Sequence, residues 1–496
     1  MYKIRQIKYS SNSVSIQVYK IENRKRIIVR HIGTARNEQE KSDLLTLAND
    51  FIEKASKQLH LFQSQDSGNI LYVNQTGFIG VYYTFLYELI SKLILSIGFD
   101  KIKNNLLLDL VILRMMEPAS KLRSIELLDE YFGIKHRRQN YYESASGWLT
   151  LKSKAETIAL AFARKHYAFN FDLLFYDVTT LYFEAFEEDE LRKNGFSKDN
   201  KSQQPQILVA LMVTKEGFPI AYEVFAGNTF EGHTIIPVVK SFISKNNIKE
   251  FTVVADAAMI STENIQALRE NVINYIVGAR LGNVSNDLIS KIDKNISRED
   301  GKSVRIKTDN GYLICSYSSL RYRKDKYEME KQIEKAKYII SNPSKSKKLK
   351  FTKANGQNIE LNEKLINKTK KILGIKGYYT NLEENIVSNA TIIERYHELY
   401  KIEQAFRISK SDLQTRPIFH YKEEPIKLHL LICFMALVVS KQIELQTHVS
   451  IKKFIHECKK ITDARLKNLI TGKELRIRVD ITPVVTEILR NIDLLT

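Results

Sequence analysis

Asp177 lies in the middle of the apolar stretch LLFYDVTTLYF, where a lone carboxylate is costly unless a cation or a donor offsets it. Asp256 closes a second apolar stretch, FTVVAD, at the carboxyl end where open α/β sheets place their sites. Strand-end aspartates also cap the helices that follow them, so neither residue is decisive alone. A third acid, Glu403, sits in TIIERYHELYKIEQAFRISK. Read as one helix from Thr391 to Lys410, that segment places Tyr396, Glu403, Arg407 and Lys410 within an arc of roughly 60°. Lys401 adds a further cation in the same segment. A carboxylate, a guanidinium, an ammonium and a phenol on one stripe suit a surface that grips a phosphate backbone beside a metal-binding carboxylate. An amphipathic surface helix with (i, i+4) charge pairs would carry the same residues. Together, Asp177, Asp256 and Glu403 are the shared carboxylates that two Mg²⁺ ions need, with roughly 4 Å between the metals. Such a pair activates a water or a 3′-hydroxyl and stabilises the leaving oxygen. Rival chemistries lack their motifs: the chain has no GxxxxGK loop, no HExxH and no GxSxG. His233 in GNTFEGHTI fits either the site or the polar start of a helix.

The elements that must position these groups change in texture along the chain. SVSIQVYKI and KRIIVRHIG bracket ENRK, a hairpin pattern ending at Gly33, and residues 38–60 read as a helix. The Lys and Arg residues of this region suit phosphate contact or a solvated sheet edge equally. From Gly77 to Asn170 the apolar spacing is helical, with stops at Pro118 and Gly133. KHRRQNYYES inside it suits a helix-turn-helix reader of DNA or a plain helical subdomain. From Phe171 the order is β-β-β-α-β-α-β, which predicts a mixed sheet with helices on its faces. Ser261 or Thr262 is the expected N-cap of the second of those helices. Residues 283–385 are too long for a loop and read as an inserted subdomain with a lysine-rich stretch, NPSKSKKLKFTKANGQ. That stretch is either solvated surface or a DNA contact.

Composition narrows the partners. The 496 residues carry a formal net charge of +19, which favours a polyanion, with nucleic acid first and an anionic membrane surface second. The 3 cysteines, Cys315, Cys433 and Cys458, are far apart and form neither a metal spacing nor a disulfide framework, which fits a reducing, cytoplasmic compartment. The start of the chain does not read as a signal peptide. The apolar run Leu428–Val439 reads as a buried core helix, too short to span a bilayer.

The ordered combination of YDVTTLYFE around Asp177, GFSKDNK at Gly195–Lys201, FPIAYEVFAGNTFE at Phe218–Glu231, VVADAAMIS around Asp256, YIVGARL, and YHELYKIEQAFRISKSDLQTRPIFH resembles bacterial insertion-sequence transposases of the DDE type. The closer resemblance is to the cut-and-paste group with a Tyr-Arg-Glu-Lys signature and a β-rich insertion. It covers about residues 70–430. The resemblance implies an α/β fold: a ribonuclease H-like mixed β-sheet core with a helical N-terminal region and a β-rich insertion. It implies catalytic and metal-binding roles for Asp177, Asp256 and Glu403, and DNA-binding roles for Tyr396, Arg407, Lys410 and Lys401. Leu399 stands where the signature has Arg, and Arg407, one turn after Glu403, is the candidate substitute. Ala257 and Ala258 replace the Arg-Gly that often follows the second Asp.

The implied activity is metal-dependent strand cleavage and strand transfer at terminal inverted repeats, with two Mg²⁺ or Mn²⁺ ions, double-stranded DNA as partner, a homodimer in the synaptic complex and no membrane. A catalytically inactive DNA-binding descendant and a ribonuclease H-like nuclease without joining are the alternatives. The expected domains are 1–60 (hairpin and helix), 70–170 (helical, DNA-end binding), 171–285 and 386–440 (catalytic core), 286–385 (insertion) and 441–496 (C-terminal tail).

Overall fold

A computed structural model of the chain describes residues 2–56, 76–184, 186–196, 203–248, 251–259, 261–342, 349–355, 358–469 and 472–492. Residues 197–201 of the GFSKDNK segment, and 343–348 and 356–357 of the lysine-rich stretch, lie outside the described residues.

Strands β1 (Tyr2–Lys8), β2 (Val14–Glu22) and β3 (Lys25–Ala35) lead to helix α1 (Glu38–Ser56) and strand β4 (Thr76–Tyr82). Helices α2 (Thr84–Ile97), α3 (Asn105–Met116), α4 (Lys121–Phe132), α5 (Arg138–Trp148) and α6 (Leu151–His166) follow. Then come β5 (Leu174–Tyr182), β6 (Gln206–Val213), β7 (Pro219–Ala226), α7 (Ile235–Asn246), β8 (Thr252–Ala255), α8 (Thr262–Glu270) and β9 (Asn274–Ala279). The next stretch holds α9 (Asn286–Asn295), β10 (Ser303–Thr308), β11 (Gly311–Tyr317), α10 (Ser319–Ser341), β12 (Thr352–Asn355), β13 (Asn358–Leu361), α11 (Glu363–Lys371) and β14 (Ile375–Thr380). After it come α12 (Asn389–His397), α13 (Tyr400–Arg407), α14 (Glu423–Thr447), α15 (Ile451–Cys458), β15 (Asp463–Asn468), β16 (Glu474–Arg478) and α16 (Pro483–Asn491).

Two compact units form. One gathers Met1–Ser91, Ile125–His136 and Lys453–Asn491; the other gathers Lys92–Ser124, Arg137–Lys452 and Ile492–Thr496. In the first, β1, β2 and β3 make an antiparallel sheet. Asn23 and Arg24, at φ +50° and +59°, supply the two left-handed residues that a tight hairpin requires. Ile16, Val18 and Ile32 of this sheet pack against Leu44, Leu47 and Ala48 of α1. A second antiparallel sheet orders as β16-β15-β4. The segment from Gly77 therefore begins as a strand, not a helix: its partner β15 lies at the far end of the chain, beyond the reach of local periodicity. Buried Asp463 is gripped there by Arg478, whose Nε and Nη2 donate to the carboxylate at 2.7 and 2.9 Å.

The second unit is built on an eight-stranded mixed sheet ordered β10-β11-β14-β9-β8-β5-β6-β7. β5, β8 and β9 run parallel, and β6 and β7 continue antiparallel from β5, which is the ribonuclease H-like arrangement. All of β6 and β8 is buried, matching the unbroken apolar runs of strands covered on both faces. β14 pairs antiparallel with β9, and β11 and β10 follow outward, so strands of the 283–385 segment extend the central sheet. Ser261 caps α8 by accepting the Asn264 amide hydrogen.

The apolar run of Leu428–Val439 extends into α14, 25 residues long. That length and composition would suffice to cross a membrane, contrary to the shorter span read from the sequence, but 94% of its apolar window is buried inside the protein. It is a core helix, packed on α3, α5, α6 and β7.

Candidate active site

β5 and β8 pair with Leu174 opposite Val253, Phe175 opposite Val254 and Tyr176 opposite Ala255. The ladder ends there, and Asp177 and Asp256 are each the next residue along their chain segments. Tyr176 points to the face opposite Asp177, where its hydroxyl donates to Thr234 Oγ1 at 2.7 Å. His233, next to Thr234, belongs to the turn that starts α7 on that far face, so the helix-start role describes it. α13 packs on β5. Thr179 and Leu181, which share Asp177's side of the strand, line a small cavity with Phe406 and Lys410. The Asp177 face is thus the face that α13 covers.

Thr391–Lys410 is not one uniform helix. α12 ends at His397 and α13 starts at Tyr400. At the joint the amides of Leu399, Lys401 and Ile402 bond three residues back rather than four. Beyond Arg407 the chain loosens into a π-turn, Ile408–Asp412. A constant 100° step therefore fails across the whole segment and holds only within α13, where Glu403 and Arg407 stay one turn apart. Tyr396 reaches Asp256, and the charge of Glu403 acts on Tyr396. Lys410 faces β5. Arg407 is exposed, and its charge acts on Asp412 and Lys441. Lys401 donates to the Lys215 carbonyl at 2.7 Å and to Glu398 Oε1 at 2.8 Å, beside the β6–β7 turn. Leu399 is buried at the joint, where its apolar side chain fits and a guanidinium would not.

Asp256 is held on one oxygen. Its Oδ1 accepts the Ala257 amide hydrogen at 2.6 Å and the Tyr396 hydroxyl hydrogen at 3.2 Å. Among the described residues its Oδ2 carries no hydrogen bond. Burial, followed by the Asp256 charge, holds the Tyr396 phenol far above its usual range, so it stays a donor. Glu403 is exposed and, among the described residues, forms no hydrogen bond or ion pair. Its charge nonetheless acts on Tyr396 and on Lys376, as that of Asp256 does. Asp177 is half-buried, with Oδ1 accepting the Val178 amide hydrogen at 2.8 Å.

Lys376, on β14, is a member of this site that sequence reasoning missed. Its Nζ lies 4.7 Å from the centre of the Tyr396 ring and 5.6 Å from that of Tyr378. Burial and then Arg321 push its ammonium below the usual range, while Asp256 and Glu403 pull it back up. KGYYTNL held no signal for it, because its neighbours are brought in by β9, α10 and α12. Gly278 is the second omission. A methyl there would meet the Tyr396 hydroxyl, with Cζ only 3.0 Å away, so glycine makes room for the phenol to reach Asp256.

Among the described residues no three His, Cys, Asp or Glu side chains are grouped closely enough to hold a metal ion. The donor set still suits a hard divalent cation. It consists of carboxylates alone, with Asp256 Oδ2 uncommitted and Glu403 unpaired and open to solvent. β5, which carries Asp177, and β8, which Asp256 directly follows, are neighbours in the middle of the sheet, and α13, which carries Glu403, packs on β5.

The family described as Transposase DDE domain matches residues 171–439. Among solved structures, the chain is similar to a piggyBac transposase synaptic complex with hairpin DNA, at 10% identity and a TM-score of 0.36, over 84% of this chain and 79% of that one. No curated protein matches it.

Proposed function

The chain belongs to the Transposase DDE domain family, and from that premise we propose that it cuts DNA at terminal inverted repeats and joins the freed ends to target DNA. The observation that carries this reading is the hydrogen bond from Tyr396 to Asp256, with the Glu403 charge acting on Tyr396 and Lys376 and α13 packed on β5, the strand of Asp177. Asp177, Asp256 and Glu403 would hold two Mg²⁺ or Mn²⁺ ions. Bound there, the ions would supply an activated water or 3′-hydroxyl and stabilise the leaving oxygen.

The chain's own residues do the rest. Tyr396 helps fix the rotamer of Asp256 through Oδ1 and leaves Oδ2 uncommitted. Lys376 balances the negative charge of Asp256 and Glu403 before a cation or a phosphate arrives. Lys410 orients a backbone phosphate on the β5 side, and exposed Arg407 meets the duplex further out, past α13. Lys401 is left with a bracing role at the β6–β7 turn. End recognition falls to the basic surfaces, including Lys25, Arg26 and Arg30, which are exposed on β3. The affinity should fall steeply with salt as phosphate counterions are released. Two ends must be held together for joining, so the working form is a homodimer on DNA.

The test is Asp256→Asn in the full-length chain with Mg²⁺ and a duplex that carries the element's end. Cleavage and joining should vanish while end binding persists. Retained cleavage would remove Asp256 from the site, and nicked product without joined product in the wild type would favour a plain nuclease.

A further inference from the structure

Away from the acidic site, the second unit holds a cavity of about 630 Å³ between α3, α5 and the start of α14. Its size is within the ~300–1,000 Å³ range of small-ligand sites. Two cations form part of its wall. Arg114 is 6% exposed and donates from Nη2 to the Ala119 carbonyl at 2.7 Å. Lys121 is 4% exposed, and its Nζ lies 3.1 Å from His429 Nδ1. The Thr415 carbonyl, 2.9 Å from His429 Nε2, can only accept. Nε2 therefore carries the ring proton, and Nδ1 accepts from the lysine. Lys121 thus spends one donor on a neutral imidazole rather than on a carboxylate.

The field inside the cavity is positive. Burial and then Arg114 bring Lys121 down to about 7. Burial, then Lys121 and Arg114, bring His420 down to about 4. Glu424, also on the lining, is exposed in the first turn of α14. Two cations buried side by side are costly, and an anion in the cavity would offset both. The opening is aromatic: Tyr142 and Phe419 line it and are 64% and 65% exposed. Exposed rings beside buried cations are the pairing that takes a base and its phosphate together.

We propose that this cavity binds a phosphate ester carrying an aromatic ring, as in a nucleotide, with the phosphate on Arg114 and Lys121 and the ring against Tyr142 and Phe419. The same chemistry is offered by a free nucleotide and by a nucleotide unit at the end of a DNA strand. The site is separate from the acidic residues and does not depend on their role.

The test is calorimetric titration of the full-length protein with inorganic phosphate, with dAMP and with a short 5′-phosphorylated single strand. dAMP should bind at least about tenfold more tightly than phosphate, and Tyr142→Ala should remove that advantage. Lys121→Met should weaken dAMP about tenfold or more. Arg114, His420, His429, Tyr141 and Glu424 also face Lys121 or the cavity. Of the groups that face it, Lys121 changes charge near neutrality, so dAMP affinity should fall as pH rises above about 7. Competition between the strand and dAMP would assign the site to DNA; a strand that fails to compete would assign it to the free nucleotide. Absence of saturable dAMP binding in the wild type would overturn the proposal. So would dAMP binding that Lys121→Met and Tyr142→Ala both leave unchanged. Tyr142 is exposed, so its variant should fold even if the buried lysine variant does not.

Discussion

Gly278→Ala tests whether the Tyr396–Asp256 contact positions the candidate site. A methyl at this position would stand 3.0 Å from Tyr396 Cζ, nearer still to the hydroxyl, and 3.2 Å from Ala257 Cβ. β9 cannot retreat, because β8 and β14 hold it on both sides. Tyr396 is itself boxed in: the Tyr378 ring centre is 4.9 Å from its own, and Lys376 lies over its face. The relief left is a swing of the phenol away from Asp256. Overpacking of this kind costs about 1–3 kcal/mol, and a hydrogen bond to a charged acceptor is worth about 1.5–3 kcal/mol. The variant should therefore lose about 1–3 kcal/mol of stability. If the lost bond is expressed at the transition state, single-turnover cleavage should fall about ten- to a hundredfold. Tyr396→Phe removes the atom closest to the new methyl but leaves Cζ in place. The double variant should thus be less destabilised than the sum of the single ones, by about 0.5–1 kcal/mol. Urea melts and cleavage of an end-bearing duplex read both effects. Gly278→Ala with unchanged melting and full cleavage, or strict additivity with Tyr396→Phe, would refute the reasoning.

Other variants probe the remaining parts. Lys376→Met should lower the divalent-ion concentration needed for half-maximal cleavage, because the ammonium that competes with the metal for Asp256 and Glu403 is gone; an unchanged metal titration would remove it from the site. Lys410→Ala should weaken protection of the phosphates nearest the cut in a footprint while leaving distant contacts intact. Leu431→Ala, in the buried heart of α14, should cost about 2–5 kcal/mol in a denaturant melt. Asp463 gives a pH-dependent case. Burial acts to raise its carboxyl, but the Arg478 and Arg476 partners outweigh it and hold the group below the usual range. The stability it contributes is present above about pH 4, the unfolded value, and is lost as pH falls through the depressed folded value. Asp463→Asn should therefore destabilise at neutral pH and converge with the wild type in acid melts.

Much of the central fold was legible because its strands announce themselves. The apolar run around Asp177 and the alternation that follows it gave the order β5 to β9, with Asp177 on β5 and Asp256 directly after the neighbouring strand β8. What remained hidden depends on partners far away in sequence. TGFIGVY pairs with β15, and strands β10, β11 and β14 join the edge of β9, yet no short window carries either pairing. The joint at Glu398–Leu399 has no glycine or proline to mark it, so an even helix was the natural reading, and Tyr396 was set on one stripe with Glu403 across a break in the helix. Lys376 and Gly278 matter through what stands opposite them, which the sequence does not display.

The central claim is that Asp177, Asp256 and Glu403 hold divalent ions together. Anomalous diffraction from Mn²⁺ in a complex of the full chain with its end DNA measures this directly. The account predicts metal peaks within coordination distance, about 2 Å, of all three carboxylates, with Asp256 engaged through the oxygen that Tyr396 leaves open. Metal bound elsewhere in a cleavage-competent complex, with these three side chains apart, would contradict it.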